Sequence, residues 1–583
     1  MYDGSGNERS GRHGAPPPAR KLWRFVTVVV ATAVAVASTT VLATAFGGRH
    51  GDRGPASVRA LGAADMVLHH GKISTIDEDN TTVEAIAIRD GDILATGTNK
   101  RVMRLIGRGT KVVNLKGRRV LPGLIDGHLH GMREGYHCWT QVVRLDLITS
   151  RARALAAYAD KAAELPDGKW IWTTFGGWSV TQLDDPRIFT FDELTAAAPN
   201  NPVWITGGGF PGPRVNQAAL DVLGLTAGSP GVQLGPDGRP TGQLTGAASQ
   251  ASNAAILAQL DTLGIDGEAR CLADFIAEAN SRGLTAWKDA GGNTAPWSTI
   301  GAINEGLHSQ EPTMQLYRDG GLNARIAYHD MANAYAPGAL EREKTLTENA
   351  VGFLGDDMFR YLGQGEDMMA TMAGYNEYTQ YAATKRLSVE THVGGSIDAI
   401  LDGFEMANAI YPVGTLKWRI AHPGNGEPSD AQLARGRELG IGWALTFSSV
   451  RTGGTGARYR TTMENSDHMC LASDAMNVAA WAPFQTLWFV ISGHTLIPGV
   501  SGVPENERLS RLDALRHMTV ECGWFIDQED RVGSLEPGRH ADLIVLSADY
   551  FRVPVDQIKD LRSNLTIVGG RIVHADGAFT NVD

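Results

Sequence analysis

The chain has 583 residues, 43% of them hydrophobic and 20% charged, which permits a sizeable core and excludes bulk disorder. Lys and Arg number 53 against 64 Asp and Glu, a net charge of −11 that lacks the basic footprint of a nucleic-acid binder. The four cysteines (Cys138, Cys271, Cys470, Cys522) are too few for a disulfide scaffold, form no Cys-x-x-Cys pair, and leave room for one bridge.

Residues 1–60 stand apart, with eight Lys/Arg and three Asp/Glu against the acidic bias of the rest. Residues 1–24 form a basic, Gly/Pro-rich N-terminus with a disordered composition. Arg20, Lys21 and Arg24 precede an uncharged stretch over 25–48, and Ala43-Thr44-Ala45 supplies a small-residue cleavage site. A charged segment followed by an apolar one is the pattern of a signal peptide. The run is also long enough to span roughly 30 Å of hydrocarbon as a membrane anchor. Its Ala and Thr content favours the signal peptide. Either reading exports the rest of the chain, to the cell envelope or beyond it, with residues 49–63 as linker.

From residue 64 the pattern turns to short strands. Met66-Val67-Leu68 and Ala85-Ile86-Ala87-Ile88 are apolar runs, and Gly71-Lys72 and Asp90-Gly91-Asp92 are turn signals. The far end has the same texture in Ala541–Leu546 and Leu565–Val573. Residues 64–120 and 525–583 therefore predict one β-domain built from both ends of the mature chain. Between them strands and helices alternate. Helices are predicted over 151–164, with Ser150 as N-cap, and over 267–282, stopped by Gly283. Strands are predicted at Ala286-Trp287, Leu387–Thr391, Trp418–Ala421 and Ile441–Leu445. Such alternation fits a parallel α/β fold, and a (β/α)8 barrel needs about 250 residues. The barrel is placed over 121–524, with residues 165–262, rich in Gly, Pro, Asp and Trp, as an insertion.

The sharpest motif is Leu121-Pro122-Gly123-Leu124-Ile125-Asp126-Gly127-His128-Leu129-His130. On a strand of period two, His128 and His130 face one side and can chelate one divalent ion. With its lead-in, this segment resembles the amidohydrolase superfamily, and within it the amidohydrolase-3 (YtcJ-like) branch that includes N-substituted formamide deformylases. The resemblance runs from about residue 64 to 575. It includes Glu84–Ile88, Asn216–Leu220, Pro240-Thr241-Gly242, and Gly533–Gly538 followed by Ala541-Asp542-Leu543.

The resemblance implies a distorted (β/α)8 TIM barrel with a composite β-sandwich domain, and metal ligands at the C-terminal ends of the barrel strands. His392, ending Leu387–Thr391, matches the family's strand-5 histidine. His422, after Trp418–Ala421, matches the strand-6 histidine. Asp474, after Cys470-Leu471-Ala472-Ser473, matches the strand-8 aspartate that binds metal and acts as general base. Many relatives bridge two metals with a carbamylated Lys on strand 4. Here Gly363-Gln364-Gly365-Glu366 offers Glu366 instead, with Lys288 as a rival on an earlier strand. His128, His130 and Asp474 would hold one ion and His392 and His422 a second, with Glu366 between. Zinc suits such donors, but His/carboxylate sites accept other first-row metals.

Other residues read more plainly. His69-His70 reads as surface, His468-Met469-Cys470 as packing, and Gly207-Gly208-Gly209 lacks the ending of a phosphate loop. His137 is a candidate substrate-facing residue. Trp139, Trp178, Trp481 and Trp488 read as core. Two departures bear on substrate choice: no His precedes Asn216 in Gly208–Val215, and Ala421 replaces a Glu common before the strand-6 His. The reading that results is an exported metal-dependent hydrolase of a non-peptide C–N bond in a small molecule, an amide or N-substituted formamide. A mononuclear deaminase or cyclic amidase is the first alternative, and a non-catalytic envelope-associated scaffold the second.

Overall fold

The computed structural model describes residues 62–582, except 133–137, 174–176, 208–211, 261, 292–309, 332–337, 424–426, 447–456 and 476–481. The N-terminal leader, His137, Trp481 and part of the Gly207–Val215 segment therefore lie outside the described residues.

Eight parallel strands follow one another in chain order around a barrel: β1 (Leu124–Leu129), β2 (Leu284–Asp289), β3 (Arg325–Met331), β4 (Phe359–Met368), β5 (Ser388–His392), β6 (Arg419–Ala421), β7 (Gly442–Thr446) and β8 (His468–Ala472). Their side chains alternate between two environments. Val389, Ile420, Met469 and Leu471 pack outward against the helices, while Ile125, Ala286, Ala327, Leu362, Ala421, Ala444, Cys470 and Ala472 meet inside. This inner layer is rich in alanine because Trp524 and Phe525, from the turn Glu521–Ile526, fill the same cluster. Gly442 has no side chain for the same reason: a Cβ there would meet Trp524 at 2.5 Å. A disulfide between Cys470 and Cys522 ties the turn to β8.

Two further sheets follow, the first from the N-terminal strands alone and the second from both ends of the chain. One has the order Asp92–Gly97, Ala85–Arg89, Met66–His69, Lys111–Asn114. The other runs Arg571–Ala575, Ser563–Val568, Leu543–Leu546, Arg119–Pro122, Lys72–Ser74, Thr82–Val83. Period-two alternation divides the first sheet. Ile86 and Ile88 enter the core shared with Val120, Leu543 and Ile567, whereas Ala85 and Ala87 pack against Val102 and Leu105. Arg119–Pro122 leads directly into β1, and Gly123 fits the junction because a Cβ there would lie 2.0 Å from Thr285 Oγ1.

The insertion begins earlier than the composition indicated. Its six-stranded sheet starts at Val142–Val143 and ends at Pro240–Leu244. The helix Arg151–Glu164 therefore belongs to it, packing Ala154 and Tyr158 against Phe189, Leu194 and Val203. Ser150 occupies the N-cap position, but the first amide of that helix donates to Asp184 Oδ1 at 2.8 Å instead. A second disulfide, Cys138–Cys271, links the chain after β1 to the helix Gly264–Ser281. Both cysteine pairs are therefore bridged, where the sequence reading allowed one bridge and took Cys470 as simple packing. Among the described residues no helix is long and apolar enough to cross a membrane.

Candidate metal centre

His128, His130, Glu366, His392, His422 and Asp474 converge at one end of the barrel, at the C-terminal ends of β1, β4, β5, β6 and β8. Each arrives by a local device. On β5 the inward face is Ser388, Glu390 and His392, since Val389 points outward. Asp474 continues the inward series of Cys470 and Ala472. His422 follows inward Ala421 and should point outward, but its φ of +59° turns the chain at the strand end. Asp474 is also left-handed, at φ +51°. Non-glycine residues held there mark a backbone the surroundings over-determine, as functional sites often are. Glu366 lies where β4 shifts register against β5, between Gln364 and Asp367. Gly365 beside it has no room for a Cβ, which would meet His329 Cβ at 2.5 Å.

The donor atoms form two groups sharing Glu366. His128, His130, Glu366 and Asp474 form one, Glu366, His392 and His422 the other, and within each group the candidate ligand atoms lie within 4.8 Å of one another. Glu366 Oε2 is 2.8 Å from His130 Nε2, while Oε1 is 3.2 Å from His392 Nδ1 and 3.1 Å from His422 Nε2. Asp474 Oδ1 is 3.5 Å from His128 Nε2 and 3.3 Å from His130 Nε2, and Oδ2 is 3.5 Å from His422 Nδ1.

The outer partners decide which nitrogen each imidazole presents. His130 Nδ1 hydrogen-bonds the Gly291 carbonyl at 3.0 Å, His422 Nδ1 hydrogen-bonds Thr446 Oγ1 at 3.0 Å, and His128 Nδ1 lies 2.8 Å from Glu390 Oε1. Occupying Nδ1 leaves Nε2 for the centre. His392 alone turns Nδ1 inward.

The electrostatics suit a cation. Burial opposes charge throughout, yet His130 and His128 hold the Glu366 carboxyl well below the usual range, and His422, His128 and His130 lower Asp474. Burial likewise opposes protonation of His128, but Glu390 and Glu366 raise its pKa well above the ordinary value. Both ring nitrogens of His128 are buried and neither makes a hydrogen bond of good geometry among the described residues, so Nδ1 meets Glu390 as a close ion-pair contact at 2.8 Å and Nε2 faces the centre. Imidazole nitrogens and carboxylate oxygens crowded in this way fit a divalent metal centre, and they match the donors that first-row metals accept.

Lys288 does not serve as the bridge. It is fully buried on β2 and its Nζ is paired with Glu390. Glu390 and Thr446 were missed in the sequence. Glu390 carries a signal there, because Ser388, Glu390 and His392 form the polar half of an alternating strand. His69 is buried rather than on the surface, while His70 is exposed. His468 stacks on Trp524 with ring centroids 4.3 Å apart. Trp178 and Trp488 are core residues.

Comparison with known proteins agrees with this geometry. Residues 111–574 match the profile of the amidohydrolase family. The chain is 22% identical over 542 residues to an N-substituted formamide deformylase of Arthrobacter pascens, covering 87% of this chain and 97% of the relative. It is 30% identical over 186 residues to the putative amidohydrolase YtcJ of Bacillus subtilis, covering 30% of this chain and 34% of the relative. Among solved structures, an uncharacterized metal-dependent hydrolase from Pyrococcus horikoshii superposes with a TM-score of 0.57 at 18% identity, over 84% of this chain and 99% of the other. The family match covers most of the chain, including every residue of the centre, and the chain belongs to the amidohydrolase family.

Proposed function

We propose that the protein hydrolyses an amide or N-substituted formamide with two divalent ions, zinc being the natural pair, held by His128, His130, Asp474, His392, His422 and a bridging Glu366. The observation that carries this reading is Glu366, whose two oxygens reach both histidines of the first group and both of the second. It favours a binuclear site over the mononuclear deaminase alternative. Five strand ends supplying six convergent polar residues also argue against a scaffold, which needs none of them.

When bound, such ions lower the pKa of a coordinated water toward about 7 and polarise the scissile carbonyl. Asp474 takes the proton from the attacking water and delivers it to the leaving nitrogen. His422, whose Nδ1 hydrogen-bonds Thr446 and stands 3.5 Å from Asp474 Oδ2, lies beside that carboxylate. The resemblance to a formamide deformylase supports the substrate class.

Export is part of the same proposal. Two disulfides are the usage of an oxidising compartment, and the N-terminal sequence reads as a leader. The catalytic test is formate release from N-alkyl and N-aryl formamides, and amine release from simple amides, by chelator-treated protein before and after Zn2+ addition. Zinc-dependent turnover supports the reading. Zinc-dependent ammonia release from nucleobases, with no turnover of amides, would move the protein to the deaminase alternative.

A further inference from the structure

Below the metal centre lies a buried ionic assembly that the hydrolytic chemistry does not use. Lys288 on β2, Glu390 on β5 and Arg419 on β6 are all 0% exposed. Glu390 Oε1 is paired with Lys288 Nζ and lies 2.8 Å from His128 Nδ1. Arg419 Nε stands 4.0 Å from Glu390 Oε2 and donates at 2.9 Å to the Lys417 carbonyl. A carboxylate buried to this depth is costly unless it is paired, and an ammonium is equally so. Apolar side chains of similar volume would fill a barrel interior more cheaply. The assembly meets the centre at the Nδ1 face of His128.

We propose that Glu390 is a positioning residue that fixes His128 with its proton on Nδ1 and its Nε2 toward the first metal ion, and that Lys288 is the counter-ion that lets this carboxylate sit inside the barrel. The inference rests on the binuclear reading above and deepens it. His130 and His422 are oriented by neutral oxygens, those of Gly291 and Thr446. The Nδ1 of His128 is instead met by a carboxylate. An ionised acceptor makes the imidazole a stronger donor, and outer partners of this kind typically contribute about 10- to 100-fold in metal affinity. Glu390 therefore acts on the ion held by His128, His130 and Asp474, and not on the one held by His392 and His422.

The test uses the full chain and Zn2+ competed against a chromophoric chelator, with Co2+ absorption as a spectroscopic readout. Glu390→Leu alone would strand Lys288, so the informative variant is Lys288→Met with Glu390→Leu. It is expected to bind one ion with unchanged affinity and the other about 10- to 100-fold more weakly, with an altered Co2+ spectrum. The isosteric Glu390→Gln variant keeps shape and a neutral acceptor, and is expected to give a smaller loss at the same ion. Unchanged affinity and spectrum in whichever variants fold would overturn the inference. Equal weakening of both ions would also overturn it, because that is the signature of a structural role. Failure of the wild-type chain to bind any Zn2+ would instead overturn the binuclear reading, and this inference with it.

Discussion

The backbone amide of Asp474 donates to the carbonyl of His128 at 2.9 Å, so two residues of the metal centre also close the barrel between β8 and β1. The next bond in the seam joins the His130 amide to the Ala475 carbonyl at 2.8 Å. Asp126 reinforces it, since one oxygen accepts from the amides of both His128 and Ser473. Barrel closure and assembly of the first metal group are thus one event. A change that opens the seam should loosen the metal as well as the fold.

Gly127 provides the direct check. A Cβ there would lie 2.5 Å from Cys470 Sγ and 3.3 Å from the Leu471 carbonyl. Gly127→Ala is expected to cost about 1–3 kcal/mol in urea unfolding, the range for overpacking a tight interior, and to weaken metal retention in parallel. Unchanged stability would show that the seam has slack.

Removing one ligand from the second group should separate the two ions. His392→Ala is expected to bind one Zn2+ instead of two, to keep its circular dichroism spectrum, and to lose at least about a hundredfold in turnover, as removal of a catalytic group commonly does. Elemental analysis and steady-state rates on the same preparation decide it. Retained activity would remove His392 from the centre.

The disulfides close loops of 133 and 52 residues. Loops of about this length are stabilised by roughly 2–5 kcal/mol through restriction of the unfolded chain. Protein recovered from an oxidising compartment should show no reactive thiol after denaturation without reductant. Replacing Cys138 and Cys271 together by Ser should lower the urea midpoint accordingly. Four titratable thiols in the unreduced chain would contradict both bridges and weaken the argument for export.

Asp330, near the end of β3, predicts a pH dependence independent of the metal. Burial pushes its carboxyl up to about 6, against the lowering effect of a hydrogen bond from Gln310. A folded-state value above the ordinary one means that the native protein holds this proton more tightly than the unfolded chain. Stability from this group is therefore full at acid pH and is lost as pH rises through about 6. Asp330→Asn should be more stable than wild type by about 1–2 kcal/mol near pH 7.5, with the difference vanishing below about pH 4. A constant difference across that range would contradict the assignment.

Much of the site was legible because its residues sit at ends of apolar runs. His128 with His130, His392, His422 and Asp474 each terminate or follow a short hydrophobic strand in the right order, and the structure brings all of them together with Glu366. What was not legible depends on contacts across the barrel. Lys288 next to Asp289 looks like any strand-end lysine until Glu390 is placed opposite it, about a hundred residues along the chain. The cysteine pairs are likewise distant in sequence and adjacent only after folding. The insertion was placed too late because its first strand, Val142–Val143, is two residues long and carries no periodicity. His422 would have been set on the outer face by alternation alone. Only its left-handed backbone reverses that, at a histidine rather than at a glycine.

The central claim is a binuclear centre bridged by Glu366, and metal content tests it most directly. Protein expressed from about residue 65, purified without chelator and reconstituted with Zn2+, should carry two ions per chain by elemental analysis, and Glu366→Ala should carry fewer. One ion in the wild type, unaffected by Glu366→Ala, would contradict the bridge. No bound metal at all would contradict the centre itself.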